Sequence, residues 1–149
     1  MSIINMSPIE AVVFLTVNNL GRLGVTGGGT NCPLNEKGSP YVVPINYVCA
    51  GNYIYSHALA GKLIGSLQTD KRCCLQVDQI EDSYHWKSVI VYGEYEEVDD
   101  AQEHEQILAQ IFRKIPYLTP VESKATKGVN ESIVFKIMIQ KITGIEESW

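Results

Sequence analysis

Four residues in the stretch "YSHALAGKL", 55–63, have types that chemistry can use. Ser56 brings a hydroxyl, His57 an imidazole that titrates near neutral pH, and Lys62 a mobile cation. Gly61, beside Lys62, lets a backbone approach a ligand closely. The stretch joins a β-patterned run, "NYIYS", to an apolar stripe at helical spacing, Ala60, Leu63, Ile64 and Leu67. The first turn of a helix presents unpaired N–H groups and the positive end of its dipole, so anions settle there. Ser56, Gly61 and Lys62 at such a turn match the needs of one phosphate group. The same residues also suit a solvated lysine and a histidine packed at a strand end. Residue type alone leaves both readings standing.

Other candidates are weaker. The triple glycine in "TGGGTNCPLNEKGSP" resembles a phosphate loop only in composition, because neither G-K-[ST] nor a helix follows it. It reads instead as a long connection between two strands. The four cysteines, Cys32, Cys49, Cys73 and Cys74, form no C-x-x-C pair. Adjacent Cys73 and Cys74 point to opposite faces of a strand, so buried free thiols are expected, and no metal site.

Composition narrows the classes further. With 12 basic against 17 acidic residues the formal net charge is −5, the opposite of a duplex-binding balance. No nucleic-acid or membrane partner is expected, and no apolar run reaches the roughly 18 residues of a membrane span. "MSIINMSPIE" lacks the basic start and apolar run of a signal peptide, which makes the cytoplasm the expected location. At 149 residues, 1–149 reads as a single domain.

The elements that must position the candidate turn follow from local pattern. Ser7, Pro8 and Glu10 form a capping box that opens a first, apolar helix. A first strand is expected around Leu23–Thr26. "YVVPINYVC" and "NYIYS", joined by "AGN", read as a hairpin, with Pro44 marking an edge, a bulge or the approach of another group. "RCCLQVD" and "WKSVIVYGEYEEV" continue the sheet, and Gly93 signals a bend or close approach. Val89, Ile90 and Val91 in succession predict that both faces of their strand are covered. A helix is expected from "DDAQ", capped by Asp99 with Gln102 reciprocating. Its apolar stripe is Ala101, Leu108, Ile111, Phe112 and Ile115, and Pro116 ends it. "SIVFKIMIQKI" reads as the last strand. Short helical crossovers favour antiparallel pairing. The expected class is mainly β (α+β), a split β-barrel of about six antiparallel strands with flanking short helices.

The ordered motifs P-x-N-Y at 44–47, I-Y-x-H-x-x-x-G-K at 54–62 and S-V-I-V-x-G at 88–93 resemble the flavin-binding split-barrel proteins related to pyridoxamine 5′-phosphate oxidase. Within them the chain is most similar to the branch that includes the nitroimidazole-resistance proteins. The resemblance runs from Gly21 to Asp100 and returns in "FKIMIQKITG"; the triple glycine departs from it.

The resemblance implies FMN held at a homodimer interface. Pro44, Ile45, Asn46 and Tyr47 would then run along the isoalloxazine ring. Ser56, His57, Ala58 and Lys62 would surround the phosphate, with His57 also the catalytic candidate. Trp86 and Ser88 would reach the flavin, from the partner subunit. The implied activity is reduction of small oxidants such as nitroaromatics. A non-catalytic flavin carrier, an oxidase of the pyridoxamine 5′-phosphate type and a haem-binding protein are the alternatives. No arginine follows Arg113, which weighs against the oxidase.

Overall fold

The computed structural model describes residues 2–28, 38–114 and 133–148. Its elements are β1 (Ser2–Asn5), α1 (Pro8–Val17), β2 (Leu20–Val25), β3 (Tyr41–Asn46), β4 (Val48–Ala50), β5 (Tyr53–Ala58), α2 (Lys62–Thr69), β6 (Arg72–Asp82), β7 (His85–Glu97), α3 (Ala101–Lys114) and β8 (Ile133–Ser148). The strands form one antiparallel sheet in the order β3-β2-β6-β7-β8-β5-β4, with β1 added on β8. The sheet curls into a split β-barrel with three helices, as expected, but with eight strands rather than about six.

Alternation builds the core. Leu23, Val25, Leu75, Val77, Val89, Val91, Phe135 and Ile137 point inward from β2, β6, β7 and β8. Phe14 and Leu15 of α1 and Ile64 and Leu67 of α2 close the barrel. The capping box of α1 is present: the Glu10 N–H donates to Ser7 Oγ and the Ser7 N–H to Glu10 Oε2, both 3.2 Å. Gly93 sits at a register shift between β7 and β8, where a Cβ would overlap the Met138 carbonyl. Only glycine tolerates that approach.

Several expectations need correction. The run "YVVPINYVC" is two strands, because Tyr47 turns inward between β3 and β4; β3 pairs with β2, and only β4 forms the hairpin with β5. β2 begins at Leu20, and β1 had no counterpart in the expectations. The cap of α3 is Asp100, whose Oδ2 accepts from the Glu103 N–H at 2.9 Å, rather than Asp99. Ala101 is exposed and Ile107 takes its place in the stripe, packing with Leu108, Ile111 and Val134 in a second core. β8 runs on to Ser148, since its far half pairs with both β7 and β1. Ile90 is only half-covered between fully buried Val89 and Val91. The triple-glycine stretch connects two strands that do pair, although 29–37, with Cys32, lie outside the described residues, as do Ile115 and Pro116.

Candidate functional site

The barrel is split between β3 and β5, and a cleft of about 460 Å³ opens there. Its walls are β3 (Tyr41, Val43, Pro44, Ile45, Asn46), the end of β5 (His57, Ala58), Leu59 and the start of α2 (Lys62, Leu63). A volume of that size suits a small ligand or cofactor.

Three features give the cleft its chemistry. Among the described residues β3 is an edge strand, paired only with β2. Pro44 has no N–H to donate, and strand alternation gives Val42, Pro44 and Asn46 one direction for their backbone polar groups. The Asn46 carbonyl accepts from Ser56 on β5, so that direction is away from β2, across the split. The second feature is α2, whose N-cap is Gly61 and whose first residue is Lys62. Among the described residues no side chain caps it, which leaves the N–H groups of its first turn for a ligand beside an exposed lysine. Gly27 sets the seat of α2, because a Cβ there would overlap the Ser66 backbone.

The third feature is His57. Its ring lies 6.0 Å from that of Phe112 on α3 and is half-buried. Burial, and then His104, hold its pKa below the ordinary value, so the imidazole is neutral at neutral pH. A neutral imidazole both donates and accepts a hydrogen bond at this wall.

Of the residues singled out in the sequence, Pro44, Ile45, Asn46, His57, Ala58 and Lys62 meet in this cleft. Four do not. Tyr47 is wholly buried, its hydroxyl donating to the Leu15 carbonyl at 2.6 Å and its N–H to Asn19 O at 3.0 Å. Lys114 lies over the Tyr47 ring while donating to the carbonyls that end α1. Ser56 is 1% exposed, with its hydroxyl on the Asn46 carbonyl at 2.6 Å. Trp86 and Ser88 lie on the outer face of β7, separated from β3 by β6 and β2. Trp86 Nε1 donates to Glu147 Oε2 at 2.8 Å, and Ser88 Oγ accepts from Gln76 Nε2 at 3.1 Å. Sequence reasoning missed Tyr41, Val43, Leu59 and Leu63 as lining. The parity of Tyr41 and Val43 with Ile45 was the signal available for two of them.

The profile of the pyridoxamine 5′-phosphate oxidase family matches residues 8–146, nearly the whole described fold. The chain belongs to the pyridoxamine 5′-phosphate oxidase family. A curated relative, an uncharacterised protein of Rhizobium meliloti, is 32% identical over 114 residues, covering 70% of this chain and 75% of the relative. An FAD-binding protein of Mesorhizobium loti has a similar structure, with a TM-score of 0.77 at 29% identity over 99% of this chain and all of that one. A putative 5-nitroimidazole antibiotic resistance protein of Bacteroides thetaiotaomicron shares the fold, with a TM-score of 0.72 at 21% identity over 97% of this chain and 87% of that one.

The described cysteines lie outside the cleft lining. Cys49 and Cys73 are buried free thiols, and burial pushes Cys73 up to about 12. Cys74 is half-buried on the opposite face of β6, as the adjacency predicts. Among the described residues no group of histidine, cysteine or acidic side chains could hold a metal ion. No helix among them is long and apolar enough to cross a membrane.

Proposed function

We propose that this chain binds FMN in the β3–β5 cleft, as a homodimer, and reduces small oxidants such as nitroaromatics. One observation carries the reading. Lys62, the first residue of a helix without a side-chain cap, lines the same cleft as the free edge of β3. The helix terminus and lysine suit a terminal phosphate, and the edge strand offers backbone groups to a flat, polar ring. The residues present therefore fit the cofactor. The Mesorhizobium loti relative, which binds FAD, supports a flavin. FAD is the competing cofactor on the same ground; a terminal phosphate dianion is the better match for one lysine and one helix end.

Bound flavin supplies the electron transfer, and the chain holds it, orients it and selects what reaches it. In this reading Lys62 and the first-turn N–H groups seat the phosphate. Pro44, Ile45 and Asn46 flank the ring, and neutral His57 meets ring or substrate as a hydrogen-bond partner. The substrate class rests on the sequence resemblance and on His57 standing in the cleft wall.

The homodimer is supported by the outer face of the sheet. Leu20, Val42, Ile80, Tyr92 and Ile145 are exposed there, in the face that carries Trp86 and Ser88. A second subunit on this face would cover them and bring its Trp86 and Ser88 toward the cleft.

Purification tests the reading directly. A yellow protein releasing FMN on denaturation, dimeric in sedimentation, with NAD(P)H-dependent nitroaromatic reduction, is expected. Release of FAD would replace the cofactor, a flavin-free Soret band would overturn it, and bound FMN without turnover would leave a carrier. A clean monomer with full flavin occupancy would remove the dimer.

A further inference from the structure

The two walls of the cleft belong to strands far apart in the sheet order, with β3 at one end and β5 next to the other. No ladder of backbone hydrogen bonds joins them. Among the described residues, one side-chain hydrogen bond spans the split, from Ser56 Oγ to the Asn46 carbonyl at 2.6 Å. Alternation along β5 turns Ile54 and Ser56 into the barrel, while Tyr55 and His57 face α3. A serine in that inward position is costly to bury unless it is hydrogen-bonded, and here it has its partner.

We infer that Ser56 is a positioning residue of the cleft and does not contact the phosphate. Its hydroxyl fixes the Asn46 carbonyl, and with it the free edge of β3, at a set separation from His57 and Lys62. Tyr47 completes the anchor from the other side, through its hydroxyl on Leu15 O and its N–H on Asn19 O. Two residues of the P-I-N-Y stretch therefore act on the strand: Asn46 through its carbonyl and Tyr47 through its buried ring. Pro44 and Ile45 line the cleft without such a bond, and Asn46 does both.

This inference rests on the flavin reading for its binding test and stands apart from it for its exchange test. FMN and riboflavin differ by the phosphate alone, so a phosphate contact and a positioning contact give different patterns. Four proteins suffice: wild type, Ser56→Ala, Ser56→Thr, and Val91→Ala as a core variant that lowers stability away from the cleft. Ser56→Ala is expected to weaken both flavins by the same factor, about 3- to 10-fold. Ser56→Thr, which keeps the hydroxyl, is expected to restore both, and Val91→Ala to leave both unchanged. Hydrogen exchange read without ligand should show the amides of Val43 and Ile45, which face β2, opening faster in Ser56→Ala than in Val91→Ala. A loss confined to FMN would make Ser56 a phosphate ligand and overturn the inference. Equal loss in Val91→Ala, or unchanged exchange at Val43 and Ile45, would overturn it too. Should wild type bind neither flavin, the functional reading fails and the exchange measurement alone decides the role of Ser56.

Discussion

At the centre of the sheet β6, β7 and β8 pair over long registers, and Leu75, Val77, Val89, Val91, Phe135 and Ile137 fill the barrel with almost no exposure. At the split β3 and β5 face each other with one serine hydroxyl between them. The centre is held by many dispersed apolar contacts and a continuous ladder, so removing one side chain lowers stability without moving a particular group. The split is held by a few polar anchors, so removing one shifts the walls of the cleft with little loss of core. The division places the least redundant part of the fold where a ligand has to fit.

The comparison breaks most visibly at the centre. Leu75, fully buried on β6 between Leu23 of β2 and Val91 of β7, should cost about 2–5 kcal/mol when replaced by alanine. Urea unfolding measures this, and flavin affinity below the unfolding transition should stay within about twofold of wild type. A cleft that failed together with the core would contradict the division.

Gly27→Ala is the converse, and smaller. Its new Cβ meets the Ser66 backbone, so α2 must move, at a cost of roughly 1–3 kcal/mol. Because α2 carries Lys62, FMN affinity should drop more than the stability loss alone explains. Parallel titration and unfolding of the same preparation check it.

How much of this was legible in the sequence divides along the same line. The central strands were readable because alternation states which side chains face inward, and Gly93 because a strand interrupted by glycine signals close approach. The break at Tyr47 was not, since the β propensity of "YVVPINYVC" is continuous and the cause is a tertiary bond to Leu15. Short β1 carries no periodicity of its own, and the end of β8 is strand because its neighbours pair with it. In the cleft, Gly61 and Lys62 were legible from local pattern alone. The inward direction of Ser56 was available from its parity with Ile54, yet its type suggested a ligand.

The smallest effect concerns acidity. The folded-state pKa of His57 lies below the ordinary value of 6.5, so as pH falls the unfolded chain takes the proton first. Stability from this group is complete above about pH 6.5 and declines as pH drops toward the folded value. Wild type should therefore lose more stability between pH 7.5 and pH 5 than His57→Gln, in which the carboxylates titrate as before. Urea unfolding at the two values reads the difference, and an equal loss would mean that burial of the ring is not felt.

Lys62 supplies the most direct test of the central claim, that the cleft reads a phosphate at the start of α2. FMN and riboflavin are titrated into wild type and Lys62→Ala, giving four affinities and one double difference. A charge-assisted hydrogen bond is worth about 1.5–3 kcal/mol, so FMN should bind roughly 10- to 150-fold more weakly to the variant while riboflavin binds both proteins alike. Equal weakening of the two flavins would contradict the claim, since Lys62 would then act on the part the two ligands share and not on the phosphate.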